Sequence, residues 1–336
     1  MTSRRRVLAV TALAASAALA LAGCGTTEEA AGGSTAGSGS GSGSASSEQI
    51  TLTDGTGTEI TLDGPATKVV GTEWNVVGDL VSLGVEPVGV ADVEGYEAWS
   101  SAVPLTGDPT DIGTRGEPSV ETVASLAPDL IVATTDLPAD AVEQLRDIAP
   151  VLQVVSADAS DQIGQMETNF GMIATATGTG ERADQVLDAY TKAVLDGERA
   201  LADAGLAGTQ FAFADGYVDA GQVSIRPYAP GSLISEVTTS LGLLNAWTLE
   251  GDPAYGLAST DVEGLTQLPA DTQFLYFSNA VDGDPFADTL SSNAVWQSLP
   301  FVQSGDVHRL PDGVWVFGGP ASMTAYVDAL VETLTA

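Results

Sequence analysis

The chain has 336 residues, of which 44% are hydrophobic, so it is long enough to bury one or two sizeable cores. Its 45 acidic and 11 basic residues give a net charge of −34, which repels nucleic acid and anionic lipid surfaces and argues against both as partners. The chain has a single cysteine, Cys24, and a single histidine, His308, which excludes an intramolecular disulfide and a Cys/His zinc site.

Residues 1–23 have the pattern of a bacterial signal peptide. Arg4, Arg5 and Arg6 precede an apolar run at 7–21, which is shorter than the roughly 20 residues of a membrane-spanning helix. The run ends in Leu-Ala-Gly followed by Cys24, which resembles a bacterial lipobox. The resemblance implies cleavage before Cys24 and a lipid on its sulfur. The arginines leave the export route open between the Sec and twin-arginine systems.

Residues 24–48 comprise the lipidated cysteine and a Gly/Ser-rich tract without apolar periodicity. This composition predicts a flexible tether with a reach of about 25 Å. A lipid at one end and a folded body at the other predict an extracytoplasmic protein, anchored by its lipid to the outer face of the cell membrane. We expect a monomer.

The body begins with an N-terminal lobe, which we assign to residues 49–158. Alternation of apolar and polar residues around Asp54-Gly55 predicts a β-hairpin. Beyond it, short apolar runs alternate with segments of helical spacing, beginning with the run 68–74 and the segment 75–85 and ending with the segment 139–150 and the run 151–156. Strands that alternate with helices predict βαβ units and a mainly parallel sheet.

Residues 160–205 contain no strand signal and predict two helices that break near Gly178–Gly180. We assign 159–180 to a connecting helix and 181–336 to a C-terminal α/β lobe, whose last helix begins near Ser322. A shared pattern, V-E-x-[VL]-x-x-L before a strand, occurs at 120–126 and 262–268 and supports two related lobes. The predicted fold is therefore α/β, with two Rossmann-like lobes that each have a mainly parallel sheet and flanking helices, joined by a long backbone helix.

Aromatic residues and two arginines occur in loops or directly after predicted strands, where open α/β sheets bind ligands. The aromatic residues with Gly-rich or polar neighbours are Trp74, Trp99, Tyr217, Tyr228, Tyr255 and Trp315. Arg115 lies in a Gly-flanked turn ahead of a helix, and Arg226 is expected in a similar loop. Both could bind an anionic ligand through paired N–H groups. There is no G-x-S-x-G, P-loop or H-E-x-x-H motif, so we predict neither an enzyme nor a metal site.

Two blocks, 69–99 and 111–133, resemble the iron–siderophore-binding lipoproteins of ABC importers, of the ferric hydroxamate or citrate type. These proteins form the helix-backbone class of periplasmic binding proteins. The later stretches "APGSLISEVTTSLGLLNAW", "LPFVQSGDVHRLP" and "VWVFGG" agree, so the resemblance spans about residues 50–334. It implies capture of a ferric siderophore, delivery to an ABC permease and no intrinsic cofactor. Because the siderophore supplies the oxygen ligands of iron(III), the protein needs to grip only the outside of the chelate.

The resemblance also implies roles for individual residues. Arg115 would contact the chelate oxygens with Trp99 beside it, and Glu121 and Glu236 would face arginines of the permease. The residues expected to line the rest of the ligand site are Tyr255, Trp315, Phe317, Arg226, Tyr217, Tyr228 and Trp74. A protein of the same fold that binds cobalamin or haem is the alternative. A lipid-anchored hydrolase and an adhesive lipoprotein are alternatives of other classes. The acidity of the chain favours a neutral or weakly charged hydroxamate chelate over a tri-catecholate.

Overall fold

The computed structural model describes residues 49–279 and 281–336. The predicted signal peptide, Cys24 and the tether lie outside the described residues. The described part contains two five-stranded sheets with helices packed against them. No helix within the described ranges is both long and apolar enough to cross a membrane.

The elements of the first half of the chain are, in order, β1 (Ile50–Thr53), β2 (Glu59–Leu62), β3 (Val69–Gly71), α1 (Trp74–Ser82), β4 (Gly89–Val90), α2 (Val93–Trp99), β5 (Thr110–Asp111), β6 (Gly113–Thr114), β7 (Glu117–Pro118), α3 (Val120–Leu126), β8 (Leu130–Thr134), α4 (Ala139–Arg146) and β9 (Val151–Val154). The first sheet is entirely parallel, with strand order β5-β4-β3-β8-β9. The antiparallel β1–β2 hairpin and the parallel sheet confirm the predictions for this half.

Helix α2 was not predicted, so Trp99, which we expected in a loop, is instead the last residue of a helix. The helix begins after Asp92, whose Oδ1 accepts a hydrogen bond from the Gly95 backbone N–H at 3.1 Å. The segment has only seven residues, too few for its apolar residues to show a helical period in the sequence. The cap shows why the helix nevertheless forms, since Asp at this position satisfies a backbone donor that has no partner in the first turn.

Two helices follow, α5 (Gln162–Thr177) and α6 (Gly180–Asp203), and the predicted break at Gly178 is confirmed. Gly178 has φ of +69°, a left-handed conformation that glycine adopts without strain. Helix α6 packs into both hydrophobic cores: Val186 belongs to the core of the first sheet and Leu201 to the core of the second. This 24-residue helix therefore physically links the two sheets, and the predicted domain boundaries stay a prediction.

The second half of the chain contains β10 (Gln210–Asp219), β11 (Gln222–Pro227), α7 (Leu233–Ser240), β12 (Leu244–Asn245), β13 (Gln273–Tyr276), α8 (Ala294–Ser298), α9 (Pro300–Ser304), β14 (Val307–Arg309) and α10 (Pro320–Thr335). The second sheet is mixed, with strand order β11-β10-β13-β14 and with β12 paired beside β10. Strands β12, β13 and β14 pair in parallel with their neighbours, as predicted for this lobe.

Strand β11 corrects the expectation that Arg226 lies in a loop, because β11 pairs antiparallel with β10 and contains Arg226. The tight turn that joins the two strands places Ala220 and Gly221 at φ of +47° and +80°. Hairpin turns of this kind require positive φ and favour Asn-Gly or Asp-Gly. An alanine at the first position hid the hairpin from sequence reasoning.

A matched pair of substitutions tests the packing of α6. At Gly197 an added Cβ would approach Val327 Cγ1 to 2.9 Å and Leu241 Cδ2 to 3.1 Å, whereas at Gly171 in α5 it would meet nothing within 4 Å. We expect Gly171→Ala to raise the free energy of unfolding by about 0.5–1 kcal/mol through helix propensity. Gly197→Ala should lower it by about 1–2 kcal/mol through overpacking. Urea denaturation followed by circular dichroism measures both, and equal effects would contradict close α6–α10 packing.

Candidate functional site

A cleft of about 670 Å³ lies where the strands of the two sheets end. Glu73 follows β3, Asp136 follows β8, Ser156 follows β9 and Phe277 follows β13, and all four line the cleft. The carboxyl ends of the strands are the usual ligand-binding edge of open α/β sheets. The volume is that of a site for a small-molecule ligand.

The β6–β7 hairpin carries Arg115 in its turn and presents it to the cleft. Gly113 enters the hairpin at φ of +96°, and its backbone N–H donates to Asp111 Oδ1 at 2.7 Å. After the hairpin, Ser119 caps α3, since its Oγ accepts from the Thr122 N–H at 3.3 Å. A short hairpin fixed at both ends therefore holds the arginine, as the Gly-flanked turn ahead of a helix predicted.

The guanidinium of Arg115 lies over the face of Trp74, with Trp315 edge-on to that ring beside it. Its Cζ lies 3.8 Å from the ring centroid of Trp74 and 5.3 Å from that of Trp315. Its Nη1 donates to Glu73 Oε1 at 2.7 Å. Because a guanidinium has five N–H donors, this ion pair leaves others for a ligand. The stacking fixes the plane in which they point.

Arg226 is held in a comparable way on the other side of the cleft. Its Nε donates to Asp215 Oδ1 at 2.9 Å, and its Nη2 makes an ion pair with Asp215 Oδ2. Its Cζ lies 5.6 Å from the ring centroid of Phe317. Burial alone would lower the pKa of Arg226, but its neighbours, with the Asp215 carboxylate among them, raise it, so the side chain stays charged. Both cleft arginines are therefore ion-paired with acids that also line the cleft.

A continuous chain of aromatic rings joins the two arginines. Trp315 lies 4.8 Å from Trp74, 6.5 Å from Trp99 and 5.2 Å from Phe317 between ring centroids. Phe317 in turn lies 5.6 Å from Tyr255. All of these pairs have steep interplanar angles, the edge-to-face geometry that aromatic side chains favour. The result is a rigid, largely apolar surface contributed by both halves of the chain.

Tyr255 reaches across the cleft from a turn organised by Asp252. The Asp252 carboxylate accepts backbone N–H groups from Tyr255 at 2.8 Å and Leu257 at 2.9 Å. Partial burial opposes ionisation, but these hydrogen bonds prevail and lower the pKa of Asp252. The Tyr255 hydroxyl donates to Asp136 Oδ2, and burial together with this bond raises the pKa of Tyr255. Its hydroxyl therefore stays protonated at neutral pH and connects the two sides of the cleft.

The structure places most of the predicted ligand residues around this cleft: Trp74, Trp99, Arg115, Arg226, Tyr255, Trp315 and Phe317. Tyr217 is instead 61% exposed on β10 and lines a neighbouring cleft of about 560 Å³. Tyr228 is fully buried, and its hydroxyl donates to Asp215 Oδ2 at 2.9 Å, with a pKa raised by burial. Tyr228 therefore supports the Arg226–Asp215 pair from behind.

Sequence reasoning missed the acids of the cleft. Glu73, Asp136 and Asp215 line it, but among 45 acidic residues none of them stood out. Their common signal is position: Glu73 and Asp136 directly follow parallel strands, and Asp215 lies within β10 beside the strand that carries Arg226. Phe277, also missed, follows β13 and packs edge-to-face against Trp99, with 5.6 Å between ring centroids.

The two glutamates expected to face a permease lie in the first turns of comparable helices. Glu121 is exposed in α3, and Glu236 is half-buried in α7. Glu236 Oε1 accepts the Gly231 backbone N–H at 3.1 Å. Each helix begins at a serine cap and follows a segment that carries one of the cleft arginines.

No group of three or more His, Cys, Asp or Glu residues within 49–279 and 281–336 is placed to hold a metal ion. His308 lies in β14, where Nε2 is 2.7 Å from Gln273 Oε1, and burial lowers its pKa. The strand predicted around His308 is confirmed. Among the described residues, the cleft therefore offers aromatic faces, N–H donors and paired carboxylates to a ligand.

Known proteins resemble this chain over most of its length. The iron(3+)-hydroxamate-binding protein FhuD of Escherichia coli is 26% identical over 263 residues, covering 78% of this chain and 85% of that protein. The Fe(3+)-citrate-binding protein YfmC of Bacillus subtilis is 27% identical over 255 residues, covering 76% of each. The structure of the siderophore-binding protein FhuD of Vibrio cholerae, bound to Fe3+-Desferal, matches with a TM-score of 0.71 and 26% identity. It covers 80% of this chain and 98% of that one.

The family model described as periplasmic binding protein matches residues 69–313, which include both sheets and every residue of the cleft from Glu73 to Tyr255. The match begins at β3, where the first sheet begins, and extends past β14, where the second sheet ends. On this evidence, the chain belongs to the periplasmic binding protein family.

Proposed function

We propose that this protein captures a ferric siderophore outside the cytoplasm and delivers it to the permease of an ABC importer. The observation that carries the proposal is the cleft, in which aromatic faces and oriented N–H donors surround a space of about 670 Å³. The relatives named above bind iron(3+) hydroxamate, Fe(3+) citrate and Fe3+-Desferal, which supports the same ligand class here.

The chemistry of the cleft suits the outer surface of a chelate. Iron(III) prefers oxygen ligands, and a siderophore supplies them itself, so the protein meets carbon linkers and coordinated oxygens that carry partial negative charge. Rings such as Trp99, Trp315 and Phe317 bury the linkers. The N–H groups of Arg115 that Glu73 does not occupy donate to the oxygens. The proposal needs no catalytic group and no resident cofactor.

We further propose that the ligand is a neutral ferric hydroxamate. Glu73 and Asp215 neutralise the two arginines of the cleft, and Asp136 adds a negative charge beside Tyr255. A strongly anionic chelate, such as a ferric tri-catecholate, would therefore meet no net positive charge in the cleft. A protein with a net charge of −34 would also repel it at long range.

Tryptophan fluorescence of residues 49–336 tests the ligand class, because Trp74, Trp99 and Trp315 all line the cleft. We expect saturable quenching by a ferric trihydroxamate such as ferric desferrioxamine, whose iron–hydroxamate core carries no net charge, and binding at least about tenfold weaker for a ferric tri-catecholate. Arg115→Ala removes charge-assisted hydrogen bonds worth about 1.5–3 kcal/mol, so the trihydroxamate should bind about 10- to 100-fold more weakly.

The matched control is Arg199→Ala, because Arg199 lies exposed on α6 and pairs with Asp196 outside the cleft. It should leave the affinity unchanged. Quenching by haem or cobalamin alone, or by none of the ferric chelates, would reject ferric-siderophore binding. The family assignment would stand in either case.

For delivery, we propose that Glu121 and Glu236 contact the permease. Both glutamates lie in the first turns of helices that follow the segments with Arg115 and Arg226. A partner that contacts both glutamates would therefore span the two sides of the cleft. The exposed carboxylate of Glu121 and the half-buried one of Glu236 can pair with arginines of a partner and fix its orientation, which affects association more than ligand affinity.

Charge reversal at both positions tests this docking. We expect Glu121→Arg combined with Glu236→Arg to lower siderophore-stimulated ATP hydrolysis by the reconstituted importer at least about tenfold, since like charges would then oppose. Siderophore affinity in fluorescence titration should stay the same. Glu181→Arg, in the exposed first turn of α6, is the control and should retain stimulation. Full stimulation by the double variant would exclude these glutamates as the docking contacts.

For location, we propose that Cys24 carries a lipid that holds the protein at the outer face of the cell membrane. The signal-like residues 1–23 and the lipobox-like sequence before Cys24 support this proposal. Two relatives from Bacillus subtilis, YhfQ and YfiY, are themselves named lipoproteins. The tether after Cys24 would keep the cleft within reach of a permease in the same membrane.

A further inference from the structure

A small polar cavity of about 30 Å³ adjoins the ligand cleft and shares Asn75, Ser156 and Phe317 with it. Its other lining residues come from α1, from the segment after β9, from α5 and from the second half of the chain, so the cavity lies at a junction between the two halves. These residues are Asp79, Ala157, Gln162, Gln165, Met166, Asn169, Leu233, Gly318 and Gly319. About 10–15 Å³ suffices for one water molecule, so one or two waters fit.

Asp79 of α1 is the unusual group in this cavity. The residue is 5% exposed, and among the described residues no protein group donates a hydrogen bond to its Oδ1. Its carboxyl packs against Gly319, where an added Cβ would lie only 1.7 Å from Oδ1. An ionised carboxylate is strongly disfavoured in such a place without a partner, and burial accordingly raises the pKa of Asp79.

The N-terminus of α10 lies at the same place. Helix α10 has 16 residues, begins after Gly319, and within the described part of the chain has neither a side-chain cap nor an acidic residue in its first turn. Its first residue, Pro320, has no backbone N–H, so the donors without a partner inside the helix are those of Ala321 and Ser322, which a cap or water would satisfy. An unpaired acid and an uncapped helix start thus border one water-sized cavity.

We propose that this cavity binds an ordered water that bridges Asp79, held as a neutral carboxylic acid, to the backbone N–H groups at the start of α10. The water accepts from the helix and donates to the Asp79 carbonyl oxygen. The bridge joins α1, which begins at the cleft residue Trp74, to the helix that follows Trp315 and Phe317. Asp79 is therefore a positioning residue that fixes the spacing of the two sides of the cleft.

The groups around Asp79 fit a neutral acid. The titratable group that faces it is Tyr96 of α2, whose hydroxyl donates to the Val103 carbonyl at 2.6 Å. Burial raises the pKa of Tyr96, and an ionised Asp79 would raise it further, so Tyr96 stays neutral in either protonation state of Asp79. Strands β3 and β8, which pack against α1, contain no ionisable residue. On α5, Glu167 is exposed.

The remaining groups come from α10 and from the far end of α1. On α10, Asp328 and Glu332 are exposed, and Tyr326 is hydrogen-bonded to Thr238 with a pKa raised by burial. Arg182 donates to the Ser82 carbonyl at the far end of α1, at 2.9 Å. No cation among the described residues makes an ion pair with Asp79.

The test compares thermal unfolding at pH 5 and pH 9 for the wild type, Asp79→Asn, Asp79→Ala and the control Asp147→Asn, which removes an exposed charge outside the cavity. A buried acid with a raised pKa stabilises the folded state at low pH and loses that contribution as pH rises. Asparagine mimics the neutral acid but cannot ionise. Because an unfolded aspartate already ionises at about pH 4, we expect Asp79→Asn to melt higher than the wild type by a margin that grows from pH 5 to pH 9, where it should reach about 2–4 °C.

The other variants separate the bridge from simple burial. Asp79→Ala removes the bridge and should melt lower than Asp79→Asn at both pH values, while Asp147→Asn should follow the wild type. Equal destabilisation by Asn and Ala at both pH values would overturn the proposal, because the carboxylate would then be acting as an ion. A high-resolution crystal structure should place a water within about 3 Å of both Asp79 and the start of α10, and a metal ion or no density there would also overturn it.

Discussion

The pairing of each cleft arginine with a cleft carboxylate is the constraint on which the rest of the site depends. Arg115 lies over the ring of Trp74 and donates to Glu73, and Arg226 donates to Asp215. Each carboxylate neutralises the charge of its guanidinium group. The ion pair and the aromatic ring beside it hold the N–H donors of that group in one orientation. Such a geometry suits hydrogen bonds to the oxygen atoms of a ligand and provides little net attraction for anions.

The fold supplies the two sides of this site from opposite halves of the chain. The first sheet ends in the loops that carry Glu73 and Asp136, and the second ends in the segments that carry Phe277 and Trp315. Helix α6 packs into both cores, and Tyr255 donates to Asp136 across the cleft. Because interiors are close-packed, these contacts define the distance between the aromatic faces more firmly than loops alone could.

Sequence reasoning recovered the fold because strand–helix alternation and apolar runs are local signals, such as those around 129–135. It also identified Arg115, whose Gly-flanked turn is visible in the chain. It missed the acids Glu73, Asp136 and Asp215, because their importance comes from which arginine they meet, and that depends on strand order. The β10–β11 hairpin was not predicted, because its turn contains Ala220 where glycine, asparagine or aspartate is usual. Tyr228 was expected at the ligand site, but its side chain is buried beneath Arg226.

We expect the charge of Glu73, rather than the shape of the cleft, to limit the binding of anionic chelates. The most direct measurement is the affinity of wild type and Glu73→Gln for a neutral ferric trihydroxamate and an anionic ferric tri-catecholate of similar size, at low salt. Removing the carboxylate should strengthen tri-catecholate binding about tenfold, with little change for the trihydroxamate. Two results would contradict this expectation. One is a wild-type protein that binds the tri-catecholate more tightly than the trihydroxamate. The other is a Glu73→Gln variant whose affinity for both chelates falls below that of the wild type by the same factor.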